Sequence, residues 1–334
     1  MQILITGALG VNGASVLRNL CARNVRPVVF ENRIDLSLVR DLVGQLEVVQ
    51  GDINDLAALI RALQKHRIQR LIHMAALMPP ATEADPYKGF AVNGLGTVNV
   101  LEAACIAGVE RVVFTSSVSF YGRVTEPEHL HPIYKPVTEE HHPNPNSVYD
   151  VTKVASEVMG LSYARTYGIG FVALRFANIY GPGKLARHGR VSLHSKILES
   201  ALAGTPVRLP QGSEQKADMI YVDDVAEGIV LATITDELKH SAYNICTGRG
   251  ETIVEFADAV KAAIPGADIE VGPGLDFFEY GSPGGYYLMD PTRAREDLGF
   301  EARFSLTEGV RAYVDAMQRL QLQPLSHSGT SAPS

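Results

Sequence analysis

Tyr149 and Lys153 stand four residues apart in the chain. On a helix that spacing puts both side chains on one face, one turn apart. A free phenol ionises near pH ~10, too high for a base at neutral pH, and a neighbouring ammonium favours the phenolate. Lys153 is therefore expected to pull the Tyr149 phenol down toward the working range. Such a pair takes the proton from a secondary alcohol while a hydride leaves the same carbon. The competing reading is a surface pair, because Tyr-x-x-x-Lys arises by chance in many helices. The rest of the chain decides between them.

A leaving hydride needs an acceptor, and the N-terminus is organised to hold one. Gln2 to Thr6 reads as a short buried strand, and Gly7-Ala8-Leu9-Gly10-Val11-Asn12-Gly13 as a glycine-rich turn. Val16, Leu17 and Leu20 then mark a helix. Glycines there let backbone approach a pyrophosphate, and the helix N-terminus offers free N–H groups and a positive dipole end. Pro27 to Phe30 is the second strand, and Glu31 at its end lies 18 residues past Gly13. That is close to the distance of an acid that grips the adenosine ribose hydroxyls. A carboxylate there repels a 2′-phosphate and favours NAD over NADP; Arg33 is the counter-signal, and a solvated or capping Glu31 the alternative.

The alternation continues. Leu46 to Gln50 reads as a third strand running into Gly51-Asp52-Ile53, where Asp52 and Ile53 are placed to flank an adenine ring and Asp52 is also a candidate N-cap. Arg70 to His73 is the fourth, leading into Met74-Ala75-Ala76, small enough for a cofactor to pass close. His73 reads as a packed core histidine. Pro86 to Ala107 reads as a long helix whose Asn93, amid Phe90, Val92 and Val98, satisfies buried backbone groups. Arg111 to Thr115 is the fifth strand and ends in Ser116-Ser117-Val118-Ser119, where open parallel sheets place their ligands. Residues 123 to 146 show no periodicity and read as a loop. Tyr149 and Lys153 follow on a helix whose apolar side is expected to carry Val151, Val154, Ala155 and Val158. Gly170 to Arg175 is the sixth strand. Strand and helix in turn predict an α/β fold, a Rossmann-type doubly wound parallel sheet.

Composition narrows the class. The 334 residues suit one large core with a smaller companion, and 46% hydrophobic with 20% charged residues is ordinary for a globular chain. A formal charge of −7 gives no general attraction to nucleic acid or anionic membrane. Cys21, Cys105 and Cys246 are odd in number and lack Cys-x-x-Cys spacing, which argues against a disulfide framework. No apolar run is expected to approach the roughly 18 residues of a membrane span, and the chain enters a strand at once, with no signal peptide expected. A cytoplasmic protein is expected. His129, His131, His141 and His142 have no matching Cys or acidic ligand pattern, so no metal is expected.

Taken together, these stretches resemble the extended short-chain dehydrogenases/reductases, in their NAD-dependent epimerase/dehydratase branch. Thr6 to Gly13 resembles the cofactor loop, His73-Met74-Ala75-Ala76 the fourth-strand motif, and Ser116-Ser117, Tyr121-Gly122, Tyr149 and Lys153 the catalytic residues. Leu174 to Gly183, Tyr221-Val222-Asp223-Asp224-Val225-Ala226, Asp290-Pro291-Thr292 and Leu298-Gly299-Phe300 are similar to later markers, in the family's order. The likeness runs from about residue 1 to about residue 318.

The resemblance implies roles. Tyr149 is the general base and later the acid, Lys153 holds the nicotinamide ribose, and Ser117 hydrogen-bonds the reacting oxygen. NAD contacts are implied at Gly7, Leu9, Gly10, Val11, Asn12 and Gly13, at Glu31, Asn32 and Arg33, and at Asp52 and Ile53. Further along they fall at Met74, Ala75, Ala76, Asn93, Thr115 and Phe176, besides Tyr149 and Lys153. Substrate contacts are implied at Met78, Ser117, Ser119, Tyr149, Asn178 and Lys184. A cofactor domain over 1–177, rejoined by about 220–248, and a smaller substrate domain over 178–219 and 249–320 follow, with 321–334 as a Ser/Pro-rich disordered tail. Members often form homodimers through the Asn93 and Tyr149 helices.

Three departures refine this. Dehydratases of the branch carry an acid just after the catalytic hydroxyl, and here Val118 and Ser119 stand there. Sugar-nucleotide members usually have an Arg before the Asp preceding Tyr-Val-Asp-Asp; here Ala217 precedes Asp218, with Lys216 one residue earlier, and Lys lacks the bidentate fork. Asn12 replaces an apolar residue, which affects packing only. Lys184, Arg187, His188, Arg190, Lys196, Arg208 and Lys216 make the following segment basic, suiting an anionic sugar-type substrate or else a solvated surface. Leu193, Ile197 and Leu198 mark a helix with its apolar side inward, Ser241 to Thr247 a strand and Glu251 to Ala263 a helix. Phe277, Phe278, Tyr280, Tyr286 and Tyr287 either stack on a sugar or fill a core. The reading is an NAD-dependent epimerase that transiently oxidises a secondary alcohol of a sugar or sugar nucleotide. The alternative is a net dehydrogenase of a sugar acid, polyol or small hydroxy compound. A dinucleotide-sensing protein is the remote third, and it would be expected to have lost Tyr149 or Lys153.

Overall fold

The computed structural model describes residues 1–188, 193–276 and 286–325. The expectations for Arg190, Phe277, Phe278, Tyr280 and the tail beyond 325 lie outside them. A seven-stranded sheet organises the chain. Its strands are β1 (Ile3–Thr6), β2 (Val28–Glu31), β3 (Glu47–Gln50), β4 (Arg70–His73), β5 (Arg111–Thr115), β6 (Gly170–Phe176) and an edge strand, Ala242–Ile245. Their order across the sheet is edge strand, β6, β5, β4, β1, β2, β3, and every pairing is parallel. Strand order reverses between β1 and β4, which opens a crevice at their carboxyl ends. Gly7, Met74 and Ser116 are the first residues after β1, β4 and β5, so three of the expected stretches meet along that crevice.

Alternate residues of each strand serve opposite layers, as a period of two requires. Ile3, Ile5, Val29 and Val113 pack into one core with the helices Val11–Ala22 and Val222–Ile234. Leu4, Val28, Leu71 and Val112 pack into the other with the helices Leu56–Lys65 and Gly96–Ala107. Both faces are covered, which is why these strands are apolar throughout.

Two helices differ from expectation. Pro86 to Ala107 is a continuous helical run of 22 residues, and among the described residues it is one helix that is long and apolar enough, by length and composition alone, to cross a membrane, a test the sequence reading did not expect any stretch to meet. It passes through a π-turn at Ala91–Leu95 and packs along the Tyr149 helix. The Tyr149 helix, Val148–Tyr167, buries Tyr149, Thr152, Lys153, Ser156 and Glu157; Val154 is half-buried against the core, and Val151 and Val158 face outward. Val151 is 45% and Val158 54% exposed. Its polar face turns inward because polar partners await it there, described below. A helix over Pro79–Ala84, too short and too Pro-rich to read in the sequence, precedes both.

The second half adds smaller units. Asn178–Tyr180 pairs with Met219–Tyr221, Val207–Leu209 with Ile269–Val271, and Lys216–Ala217 with Glu251–Thr252. Helix Leu193–Leu202 buries Leu193, Ile197 and Leu198 as expected. Helix Ile253–Ala263 starts two residues later than read because Thr252 and Glu255 form a capping box. Asp218 accepts from the Thr247 and Gly248 amides, and Asp224 from those of Arg303 and Phe304. These two carboxylates tie the later chain to the edge strand and to the C-terminal helix.

Candidate active site

The Tyr149 helix is fixed at both ends. Ser147 caps it by accepting the Asp150 amide. The Glu83 carboxylate, from the Pro79–Ala84 helix, accepts from the Val148 and Tyr149 amides at 3.4 and 3.3 Å, where an anion also meets the positive dipole end. Gly168 at φ +73° ends it. Midway, Ser156 donates to the Asn93 carbonyl at 3.2 Å. Asn93 itself is committed to backbone: it accepts the Leu77 amide at 2.7 Å and donates to the Leu77 carbonyl at 3.0 Å. The role read for it in the sequence, satisfying buried backbone groups, is the one found.

Tyr149, Lys153 and Ser117 converge at the carboxyl end of β5. The Lys153 Nζ donates to the Thr115 carbonyl at 2.7 Å and lies 5.3 Å from the Tyr149 ring centre. Ser117 opens a short 3-10 turn, accepting the Ser119 amide, and its hydroxyl bonds the Tyr149 phenol. The expected acidification of the phenol is corrected here. Burial raises the Tyr149 pKa and the Asp150 charge adds to it, with Ser117 as the opposing influence. Burial also brings Lys153 down to about 8, against the Glu157 carboxylate. Lys153 donates to the Thr115 carbonyl, and burial outweighs any pull of its charge on the phenol in the protein alone.

Beneath this trio lies a buried polar network that sequence reading missed. Ser116 donates to Glu157, which is ion-paired with Arg175 at 2.8 Å. Arg175 also donates to the Tyr121 hydroxyl at 3.1 Å and the Glu139 carbonyl at 2.9 Å, and lies over the Phe120 ring. Tyr121 donates to Asn244 on the edge strand. Two signals pointed here: Glu157 repeats the four-residue step after Lys153, and Arg175 is a charge inside an apolar strand. Segment 123–146 is a loop, but a fastened one: Val137 bonds Leu288 and Asp290, and Glu139 accepts the Asn244 amide.

The cofactor side fits a dinucleotide. Gly7 sits at φ +74°, and a Cβ on it would fall 2.6 Å from the Ala75 nitrogen. A Cβ on Gly13 would fall 2.4 Å from the Ala8 carbonyl. Gly10 caps the helix Val11–Ala22 without a side chain, and no acid occupies its first turn, which leaves N–H groups for a phosphate. The Asn12 Oδ1 in that turn is buried with no hydrogen-bond partner. Glu31 accepts the Leu9 amide at 2.7 Å, and its pKa is raised by burial, against the Leu9 amide and Arg187. Arg33 and Asn32 are exposed. Asp52 is not the N-cap of the next helix; Asp55 is, while Asp52 accepts the Asn54 amide. Ile53 is buried against Gly96. His73 bonds Thr6 at 2.7 Å and Thr97 at 3.0 Å, a core histidine as read. Thr115 and Phe176 are buried at the ends of β5 and β6, and Met74, Ala75, Ala76 and Met78 are half-buried after β4.

On the substrate side, Asn178 begins its short strand half-buried. The basic residues scatter. Lys184 is buried, and burial brings it down to about 7. Arg208 pairs with Asp268 and Glu270 on the surface, Lys216 is exposed, and Arg187 binds the cofactor loop. Ala217 is fully buried. Tyr287 donates to the Val118 carbonyl and Tyr286 to Asp276, so these two rings are core groups with bonded hydroxyls. Among the described residues no three His, Cys, Asp or Glu gather as metal ligands.

Residues 3–246 match the NAD-dependent epimerase/dehydratase family. The UDP-glucose 4-epimerase of Mycolicibacterium smegmatis is 31% identical over 328 residues, covering 94% of this chain and 98% of that one. The Thermus thermophilus UDP-glucose 4-epimerase in complex with NAD is 29% identical, with a TM-score of 0.79 over 95% of this chain and 99% of the other. The Thermotoga maritima UDP-glucose 4-epimerase with UDP-glucose is 26% identical, with a TM-score of 0.82 over 96% and 100%.

Proposed function

The chain belongs to the NAD-dependent epimerase/dehydratase family, an enzyme of extended short-chain dehydrogenase/reductase type using NAD, and we propose on that footing that it is a sugar-nucleotide epimerase. The observation that carries this is the meeting of Tyr149, Ser117 and Lys153 at the carboxyl end of β5, beside the glycine loop after β1. Tyr149 takes the proton of a ring hydroxyl and later returns it. Ser117 holds the reacting oxygen as it becomes a carbonyl. Bound NAD would supply the hydride acceptor and donor, and its positive charge would favour the phenolate that burial opposes. Gly7, Gly10 and the first turn of the following helix would hold its pyrophosphate, and Glu31 its adenosine ribose. Lys153, held by the Thr115 carbonyl, would bind the nicotinamide ribose. Asn178 and the buried Lys184 face an anionic substrate. A turn of the ketone between the two hydride steps inverts one centre with no net redox change.

Residues 1–177 with 220–248 form the cofactor half in this reading, and 178–219 with 249–320 the substrate half. The hydrogen bonding of Ala242–Ile245 to β6 supports that division. A homodimer is proposed through the Pro86–Ala107 and Tyr149 helices, whose outward faces are apolar.

A second reading is a net dehydrogenase of a sugar acid, polyol or small hydroxy compound. It is favoured by Ala217, buried and uncharged where a pyrophosphate-binding Arg would stand. One experiment separates the two. The purified protein is denatured and the supernatant assayed for NAD, and the native protein is offered UDP-glucose. About one NAD per chain and formation of UDP-galactose without NADH is the expected result. Loosely held NAD, with NADH accumulating on a sugar acid, would overturn the epimerase in favour of the dehydrogenase.

A further inference from the structure

Leu9 lies at the middle of the cofactor loop, and both of its backbone groups are held by charged side chains. Its amide is taken by Glu31 at 2.7 Å. Its carbonyl is taken by Arg187 Nη1 at 2.8 Å, from 178 residues further along the chain. The other arm of the same guanidinium reaches the Asp35 carboxylate at 2.9 Å and the Ser37 hydroxyl at 3.2 Å. Asp35 and Ser37 belong to the segment that leaves β2 just beyond Glu31. Arg187 thus joins two parts of the chain, the glycine loop and the stretch after β2, which the fit to a dinucleotide places around its adenosine end. Its own helix, Lys184–His188, is seated on that stretch as well: a Cβ on Gly183 would fall 2.9 Å from Leu38. Leu38 in turn offers its carbonyl to Arg18 at 2.6 Å. A planar fork with donors on two sides suits this bridging, and a lysine point charge does not.

We propose that Arg187 is a strap across the nucleotide groove, which holds the Leu9 loop to the Asp35 segment and so sets how slowly NAD leaves. The proposal rests on the NAD reading above and adds a positioning residue to it. Arg187 does not enter the chemistry. It is the substrate-side helix, through this one side chain, that keeps the cofactor from exchanging. An enzyme that must return the same hydride to its substrate depends on that retention.

The test uses the full chain. NAD per protomer is measured after gel filtration, and its dissociation rate by displacement with excess unlabelled NAD, for the unaltered protein, Arg187→Ala, Arg187→Lys and Asp35→Asn. Arg187 is partly exposed, so the variants should fold, and circular dichroism checks this. Arg187→Ala should release NAD at least about tenfold faster, a loss of roughly 1.4 kcal/mol. Arg187→Lys and Asp35→Asn should fall between. An unchanged rate in Arg187→Ala overturns the strap, and a slower rate overturns it too, because the side chain would then be a plug. An unaltered protein that binds no NAD would sink the cofactor reading and the strap together, an outcome distinct from either.

Discussion

At the scale of single residues, burial sets the ionisation of the site. Tyr149 and Lys153 stand on the same helix face, as their spacing required, yet each is pushed toward its neutral form. The spacing was legible; the balance of desolvation against attraction was not, because it depends on β5 and on Ser117. If Tyr149 is the base, Tyr149→Phe should lower turnover by a factor of about 10² to 10⁴. Retained NAD should stay nearly the same, which the denaturation assay reads. Unchanged turnover would remove Tyr149 from the role. His73 shows the same physics as a stability effect. Burial, with the Lys153 charge, lowers its pKa to about 3, against an ordinary value near 6.5. Between those values the unfolded chain binds a proton that the folded chain refuses. Stability is therefore lost as pH falls from about 6.5 toward 3. His194 acts in the same direction, and Glu251, raised to about 7, acts in the opposite one between about 4.5 and 7. Urea midpoints at pH 7 and pH 4.5 should differ less in His73→Asn than in the unaltered protein, although the variant starts lower. Equal losses in both would show that His73 does not titrate between the folded and unfolded states.

At the scale of elements, what could be read was whatever depends on near neighbours. β4 and β5 fall where their apolar runs and flanking turns put them, and the glycine loop opens its helix as expected. The orientation of the Tyr149 helix could not be read. Its valines suggested an apolar inner side, but the groups that draw in its polar side are Arg175 from β6 and Ser116 from the end of β5. These are side-chain contacts across layers, and periodicity within one helix carries no trace of them. Tyr149, Lys153 and Glu157 form three steps of one face: phenol, cation and anchor. Glu157→Gln leaves the Arg175 charge buried with a weakened partner. The loss of stability should be about 3 kcal/mol, at the lower edge of what breaking a buried pair costs. Chemical denaturation measures this directly. The double change Glu157→Gln with Arg175→Met, which removes both charges, should recover part of that loss. If the single change costs no more than a surface substitution, the pair does not hold the helix.

At the scale of the whole molecule, the turned-in polar face leaves a consequence on the outside. The Tyr149 helix and the Pro86–Ala107 helix lie side by side. Both present apolar side chains to solvent: Tyr87 at 87% exposure and Leu95 at 53%, beside Val151 and Val158. A helix whose buried side is polar and whose open side is apolar has its usual arrangement reversed. The Pro86–Ala107 run instead buries Val100, Leu101, Ala103 and Ala104 as well as exposing Tyr87 and Leu95, and so it is apolar enough in composition to cross a membrane. Its contacts with the Tyr149 helix and with the helix Leu56–Lys65 seat it in the layer beside the sheet. Contiguous exposed apolar surface of this kind marks an interaction site, and two adjacent helices meeting a second copy by two-fold symmetry make a self-complementary one. Such an interface would stiffen the helix that carries Tyr149 and Lys153, so assembly and catalysis would share one element. Val151 and Val158 are seven residues apart and point the same way. Changing both to Asp places charges at the centre of the proposed contact without touching the inward face. Sedimentation should show the unaltered protein at twice the chain mass of 36.1 kDa and the double variant at the chain mass, with helical content unchanged. An unaltered protein that sediments as a single chain at all concentrations tested would dismiss the interface, and the exposed valines would need another partner.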